Sequence, residues 1–444
     1  MGKYQGYEKY KDSGVEWLGE IPEHWEIWKV THGFKNVGSG TTPKSDNPDF
    51  YDGDIPWITT SELRESVIED TSQKVTKEAL RNYSTLKIYP KGSVAIAMYG
   101  ATIGRLGILG IDATVNQACC VFSESEVFHL PFFYYWLWMH RPNLIALSAG
   151  GGQPNLSQDD LKQLRLAIPP LEEQNTIAQF LDHKTSQIDA LISKKEALLE
   201  KLDEKRTALI SHAVTKGLDP TVPMKDSGIE WLGDIPAHWT IIRLKHLSEK
   251  ITDGEHISPK NTDTGIPLLS AKDIRERDIK FDDASYVSEE DAHSFWKRCK
   301  PEKGDILIVS RGATVGRIGF VEKDVNFCLM GSVILIKLND IVYPDFVYFA
   351  SNQNHVQKNI IQVSDASAQQ AIYLIDVKET KFSIPPYEEQ EEIAKYLNQR
   401  TWELDQQKSK INKAIDLLKE YRTALITNAV TGKIDVRQVP IPQP

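Results

Sequence analysis

K-D-S-G-V-E-W-L-G-E-I-P-E-H-W runs from Lys11 to Trp25, and K-D-S-G-I-E-W-L-G-D-I-P-A-H-W runs from Lys225 to Trp239. The offset is 225 − 11 = 214 residues. Other pairs follow in the same order. G-A-T-I-G-R-L-G at Gly100 returns as G-A-T-V-G-R-I-G at Gly312, I-P-P-L-E-E-Q at Ile168 as I-P-P-Y-E-E-Q at Ile384, and R-T-A-L-I at Arg206 as R-T-A-L-I at Arg422. Offsets of 212 to 216 with the order kept mean that one domain-sized unit is present twice. The period is far above the roughly 20–50 residues of a solenoid. The copies differ most at about 31–98 and 245–310. A shared scaffold with two different variable surfaces suggests two recognition targets.

Each copy has two parts. The first carries short apolar runs broken by Gly, Pro, Asn and Asp. V-A-I-A-M at 94–98, D-I-L-I-V at 305–309 and S-V-I-L-I-K-L at 332–338 predict strands. The aromatic run Phe128 to Met139 predicts a buried helix, being too short to span a bilayer. Proline pairs at 169–170 and 385–386 close this part, and Glu172-Glu173 and Glu388-Glu389 then suit a helix N-terminus. About 40 residues of helical pattern follow, or about 60 Å at 1.5 Å per residue. Leu181, Ile188, Lys195, Leu202 and Leu209 recur every seventh residue, as do Leu397, Leu404, Ile411, Leu418 and Leu425. We place Leu191 and Leu198 at the d-type positions between them and read Lys195 as an exposed interruption. Five heptads in each stretch predict a coiled coil. Each stripe is too narrow to bury itself, so the economical expectation is antiparallel pairing with the other. T-K-G-L-D at 215–219 and T-G-K-I-D at 431–435 signal the helix ends.

The expected fold class is therefore α/β (α+β): two strand-rich domains at 1–168 and 220–384 alternating with helical regions at 169–219 and 385–444. The 444 residues are 41% apolar, enough for real cores, with a net charge of −10. Segment charges of about −4, −2, −4 and 0 over 1–168, 169–221, 222–384 and 385–444 leave no basic domain. A nucleic-acid surface would then be a local patch, helped by partners. No apolar leader and no myristoylation pattern stand at Met1, and Cys119, Cys120, Cys299 and Cys328 form no C-x-x-C or zinc spacing. Reduced thiols in a cytoplasm are the expectation.

Enzyme motifs fail on chemistry. An adenine amino-methyltransferase needs Asn or Asp before P-P-Y, to accept hydrogen bonds from the target amine, and Ile384 and Ile168 cannot accept one. The G-A-T-I-G-R motifs lack the Lys and Ser/Thr of a phosphate loop. They read as tight glycine turns, or as turns that bring Arg105 and Arg317 to DNA phosphate. Pro344-Asp345 with Asp376-Val377-Lys378 imitates a nuclease set. However, Asp376 aligns with Asp160 just ahead of each I-P-P, which marks a short structural element.

Taken in order, these motifs resemble the specificity subunit of type I restriction-modification systems. G-S-G-T-T-P-K-S-D-N-P-D-F-Y-D-G-D-I-P-W-I at 38–58, G-G-G-Q-P-N-L-S at 150–157, I-T-D-G-E-H-I-S-P-K at 251–260 and G-I-P-L-L-S-A-K-D-I at 265–274 carry the likeness with the repeated motifs above. The resemblance covers nearly the whole chain. It implies two target-recognition domains and an antiparallel helical spacer between the half-sites of a bipartite double-stranded DNA target. It also implies two methylation subunits, restriction and translocation subunits, and a chain that is itself noncatalytic and binds no metal. S-adenosylmethionine, ATP and Mg would belong to those partners. A DNA-independent coiled-coil scaffold and a self-contained methyltransferase are the alternatives.

Base edges are read by Arg, Lys, Asn, Gln, Ser and Thr, and phosphates by Arg, Lys and backbone N–H. On that chemistry the candidates are Thr41, Thr42 and Lys44 in a polar loop, Tyr99 and Arg105 at the glycine turn, and Gln153. In the second copy they are His256, Ser258, Lys260, Lys272, Arg275, Arg311 and Arg317. Trp17, Trp25, Trp231 and Trp239 read as packing residues.

Overall fold

The computed structural model describes residues 4–16, 18–147, 155–256, 260–277, 279–353, 356 and 371–441. It divides into two compact units. Unit 1 is Met1–Lys195 with Lys413–Pro444, and unit 2 is Glu196–Asn412. Each unit thus holds one half of each long helix.

The same sheet is built in both. In unit 1, strands Phe34–Ser39, Cys119–Ser125, Val94–Ala97 and Leu106–Leu109 lie side by side in that order, all antiparallel. Ser66–Ile68 adds a parallel fifth strand at the edge. In unit 2 the order is Ser248–Asp253, Val333–Leu338, Ile306–Val309 and Ile318–Phe320. Strands Val94–Ala97 and Ile306–Val309 are apolar at every position because both sheet faces are covered. Side chains alternate between faces with a period of two. Val94 and Ile96 therefore enter one core cluster while Ala95 and Ala97 enter another. Ile306 and Ile308 part in the same way from Leu307 and Val309. The first face in unit 1 is filled by the helix Leu130–Leu147, whose Phe132, Phe133, Trp136 and Leu137 are buried. The second face carries a small sheet, Thr114–Val115, Tyr51–Ile58 and Lys74–Val75, matched in unit 2 by Ser285–Val287, Ile266–Leu269 and Cys328–Leu329. The G-A-T motifs are the tight turns between neighbouring strands, Val94–Ala97 with Leu106–Leu109 and Ile306–Val309 with Ile318–Phe320. Gly100 and Gly104 have φ of +79° and +73°, and Gly312 and Gly316 of +101° and +84°, a region other residues rarely adopt.

The long helices are Leu171–Lys216 and Tyr387–Val430, 46 and 44 residues. At 1.5 Å per residue each is about 65–70 Å long. The repeated motifs explain how each is seated. Strand Arg165–Ile168 pairs antiparallel with Glu26–Lys29, and Lys381–Ile384 with Thr240–Arg243, so the H-W motif lies beside the helix start. Glu173 then accepts hydrogen bonds from Trp25 Nε1 at 3.1 Å and Tyr7 Oη at 2.6 Å, and pairs with His24 Nε2 at 2.8 Å. Glu389 repeats this with Trp239 Nε1 at 3.1 Å and His238 Nε2 at 2.7 Å. The following glutamine closes the joint. Gln174 accepts from the His129 N–H and donates to the carbonyls of Val127 and Pro169. Gln390 accepts from the Tyr343 N–H and donates to Ile341 and Pro385. Trp25 and Trp239 are wholly buried, Trp231 is half-buried, and Trp17 lies outside the described residues. Gly217 and Gly432, both at positive φ, sit just past the helix ends.

Inside each unit the half-helices run antiparallel. In unit 2, Asp203 pairs with Lys408 at 2.6 Å and Arg206 with Asp405 at 2.7 Å, so three steps up one helix meet three steps down the other. In unit 1, Arg422 pairs with Asp189 at 2.9 Å. The repeat carries Asp189 onto Asp405 and Arg206 onto Arg422, so these are one ion pair in two copies. The arginine that opens each R-T-A-L-I motif is its basic partner.

The heptad frame needs one correction. Leu191 and Leu198, expected on the seam, are 48% and 45% exposed. The inward positions lie four residues after the seventh-residue series, not three. They are Thr185, Ile192, Leu199 and Ala213 on the first helix, and Thr401, Ile415 and Ala429 on the second, all buried or half-buried. Leu181, Ile188, Leu202, Leu397, Leu404 and Leu425 are buried, and Leu209, Ile411 and Leu418 half-buried. Lys195, expected to stand exposed, is half-buried.

Candidate nucleic-acid interface

In unit 1 the polar loop begins where edge strand Phe34–Ser39 stops. Gly40 lies so close to the neighbouring backbone that a Cβ there would fall 1.6 Å from the Val115 carbonyl oxygen. Gly254 is its repeat, with the Leu329 oxygen at 2.2 Å from such a Cβ. Only glycine lets the chain cross this point. Beyond it the loop is pinned from below. Trp57 Nε1 donates to the Thr41 carbonyl at 3.2 Å, Tyr51 Oη to that of Pro43 at 2.6 Å, and the Lys44 N–H to Tyr83 Oη at 3.1 Å. Thr41 is half-buried, while the side chains of Thr42 and Lys44 are exposed.

Tyr99 stands half-buried at the start of the glycine turn and bridges to Asn155 through the backbone. Burial raises the pKa of its hydroxyl, buried Cys119 adds to this, and the nearby Gln117 amide opposes them. Gln117 also accepts a hydrogen bond from Thr42 Oγ1. One exposed glutamine thus holds Thr42 and lies next to Tyr99, two of the expected residues. Sequence reading missed it, because a lone glutamine in T-V-N-Q-A-C-C carries no motif. Arg105 lies half-buried at the other end of the turn.

Unit 2 gathers a basic group around the same turn. Thr314 Oγ1 donates to the Ala271 carbonyl at 3.3 Å, and Arg317 Nη1 to that of Ile274 at 3.2 Å. These bonds hold segment 271–275 against the turn. Arg275 and Arg317 line one cleft of about 730 Å³ with Glu276, Thr314 and Asn352. Lys272 is exposed and reaches the Asp283 carbonyl at 3.0 Å. Arg311 is exposed beside the turn, bridging to Ala371 through the backbone. His256 is bound to Asp253 at 2.8 Å, and no hydrogen bond joins it to these arginines among the described residues. Lys260 is exposed. Gln153 and Ser258 lie outside the described residues.

Of the enzyme-like carboxylates, Asp345 pairs with Arg277 at 2.7 Å and Asp376 lies in the first turn of the helix Leu374–Glu379; its repeat Asp160 forms a capping box with Ser157 at the helix Gln158–Gln163. The four cysteines are buried and free, and burial pushes the Cys120, Cys299 and Cys328 thiols up to about 12. Among the described residues no group of three His, Cys, Asp or Glu side chains is placed to hold a metal ion. No described helix is long and apolar enough to cross a membrane.

Two loop-bearing sheets, each seated on half of a helix pair and each presenting polar and basic side chains at one turn, define a recognition protein. Residues 22–201 and 236–416 match the model of the type I restriction modification DNA specificity domain. With that match over most of its length, the chain belongs to the family, and it is a noncatalytic DNA specificity subunit. It is 26% identical over 331 residues to the type I restriction enzyme EcoBI specificity subunit of Escherichia coli, spanning 72% of this chain and 69% of that one. It is 21% identical over 428 residues to the MjaVIII specificity subunit of Methanocaldococcus jannaschii, spanning 94% and 95%. The fold is that of the HsdS subunit from Thermoanaerobacter tengcongensis, with TM-score 0.55, 17% identity, and 95% and 100% of the two chains covered. A chain from a study of complex assembly in a type I R-M system aligns with TM-score 0.66 and 17% identity, covering 92% and 98%.

Proposed function

We propose that unit 1 and unit 2 each read one half of a bipartite double-stranded DNA target, with the paired helices setting the distance between the halves. The observation that carries this is one scaffold with two surfaces. The sheet, glycine turn and helix joint repeat, while the side chains at the turn differ: Tyr99 with Gln117 in one copy, Arg311 with Gly331 in the other. Half-helices joined antiparallel by a repeated ion pair support the spacer role. A net charge of −10 supports reliance on partners for phosphate contact. Two methylation subunits dock on the chain in the cytoplasm, and restriction and translocation subunits join them. Those partners bring S-adenosylmethionine, ATP and Mg.

The test is a domain exchange in the reconstituted complex. Residues 245–310 are replaced by those of a relative, and the methylated sequence is mapped across a genome. One half-site should change while the other and the spacing persist. An unchanged target would refute the assignment of one half-site to each unit. Inserting one heptad into a single helix should disturb pairing or alter half-site spacing, and an effect on neither would refute the spacer role. Methyl transfer by the purified chain alone would refute the division of labour.

A further inference from the structure

We infer that Gln117 is a specificity-determining residue of unit 1 and that it reads an adenine edge in the major groove. This rests on the proposed half-site reading and deepens it. Three features of the side chain lead there.

The first is its placement. Gln117 is exposed, yet it sits in a two-residue turn between the buried strand residues Val115 and Cys119, with Ala118 buried beside it, so the backbone beneath it is held on both sides. Two backbone bonds fix this site: the Gly40 N–H to the Asn116 carbonyl at 3.3 Å and the Met98 N–H to the Ala118 carbonyl at 2.8 Å. A reading side chain on a rigid element loses little freedom on binding.

The second is its hydrogen-bond inventory. A glutamine amide has two acceptor lone pairs and two N–H donors. Thr42 occupies one lone pair. Among the described residues one acceptor lone pair and the amide N–H groups stay open on a single planar group that Thr42 already orients. Adenine presents the complementary pair in the major groove, the N6 donor and the N7 acceptor. Guanine presents two acceptors there, so in the same side-by-side contact the amide oxygen would face an acceptor rather than a donor.

The third is the repeat, which acts as an internal control. The Met98–Ala118 backbone bond returns as the Ser310 N–H to the Ser332 carbonyl at 2.8 Å, so Gln117 corresponds to Gly331 and Tyr99 to Arg311. A Cβ on Gly331 would lie 2.5 Å from His256 Nδ1, so the imidazole fills the space next to the missing side chain. The scaffold is kept and the reading group is exchanged. Such a position decides sequence rather than fold.

The experiment uses the whole chain with its methylation partner, mapping methylated sites for wild type, Gln117→Ala and Gln117→Arg. A good bidentate base contact gives about 5- to 150-fold discrimination. Gln117→Ala should lose discrimination in that range at one position of one half-site and leave every other position intact. Gln117→Arg should move the preference at that position towards guanine. Full specificity in Gln117→Ala would overturn the inference. So would an equal loss over all positions, which would make Gln117 an anchoring residue. If the wild-type complex shows no bipartite target, or the 245–310 exchange leaves the target unchanged, the underlying half-site reading fails instead.

Discussion

Removing the Glu173 carboxylate should damage unit 1 more than removing that of Glu389 damages unit 2. The two sites look alike in sequence, each being the second glutamate of I-P-P-x-E-E-Q. In the structure Glu173 holds three groups and its side chain is 8% exposed, while Glu389 holds two and is 28% exposed. Glu173→Ala leaves the Tyr7 hydroxyl and the Trp25 N–H buried without an acceptor. Each orphaned donor costs about 1–3 kcal/mol, and bonds to a charged acceptor lie at the upper end. The lost His24 contact adds little, since that ring reaches solvent. The total is about 2–6 kcal/mol. Glu389→Ala orphans only the Trp239 N–H, because His238 can turn to water, and should cost about 1–3 kcal/mol. Hydrogen exchange read by mass spectrometry localises the effect. Amides of 20–29 and 165–180 should lose protection in Glu173→Ala, and those of 234–243 and 381–396, less strongly, in Glu389→Ala. Equal losses, or a larger loss in unit 2, would refute the argument that burial and donor count set the strength of this joint.

Other outcomes follow from single contacts. Gly40→Ala forces a Cβ against the Val115 carbonyl and should destabilise unit 1 by about 3 kcal/mol or more in urea unfolding, with Gly254→Ala acting in the same direction on unit 2. Leu198→Ala, on the exposed side of the first long helix, should change stability by less than about 0.5 kcal/mol, whereas buried Leu181→Ala should cost about 2–5 kcal/mol. Exchanging the charges of Asp189 and Arg422 together should recover most of what either single reversal loses. A double-mutant cycle should give about 0.2–1 kcal/mol, because the aspartate is half-exposed. Burial pushes His140 down to about 4. The unfolded chain therefore binds a proton that the fold rejects, and this stabilisation is complete above about pH 6.5 and is lost as pH falls towards 4. The loss is about 3 kcal/mol, and urea midpoints against pH should flatten over that window in His140→Phe.

Much of the architecture was legible because it is written twice. Two copies of H-W, G-A-T-x-G-R, I-P-P-x-E-E-Q and R-T-A-L-I in one order determine the repeat, the alternation of sheet and helix, and the family. The central strands show as apolar runs because their sheet is covered on both faces, and the helices show because five heptads recur. What stayed hidden depends on the partner in space. A seventh-residue series is compatible with a second inward row three or four residues on, since the 3.6-residue turn falls between the two. Only the opposing helix decides, and it leaves Leu191 and Leu198 in solvent. The motifs E-E-Q and H-W each appear in the sequence without showing that they bind each other, because some 148 residues separate Trp25 from Glu173. Gln117 has no sequence signal at all. Its role arises because the sheet brings strand 119–125, the turn at Tyr99 and the loop at Thr42 to one place, and long-range packing of that kind is a property of the fold alone.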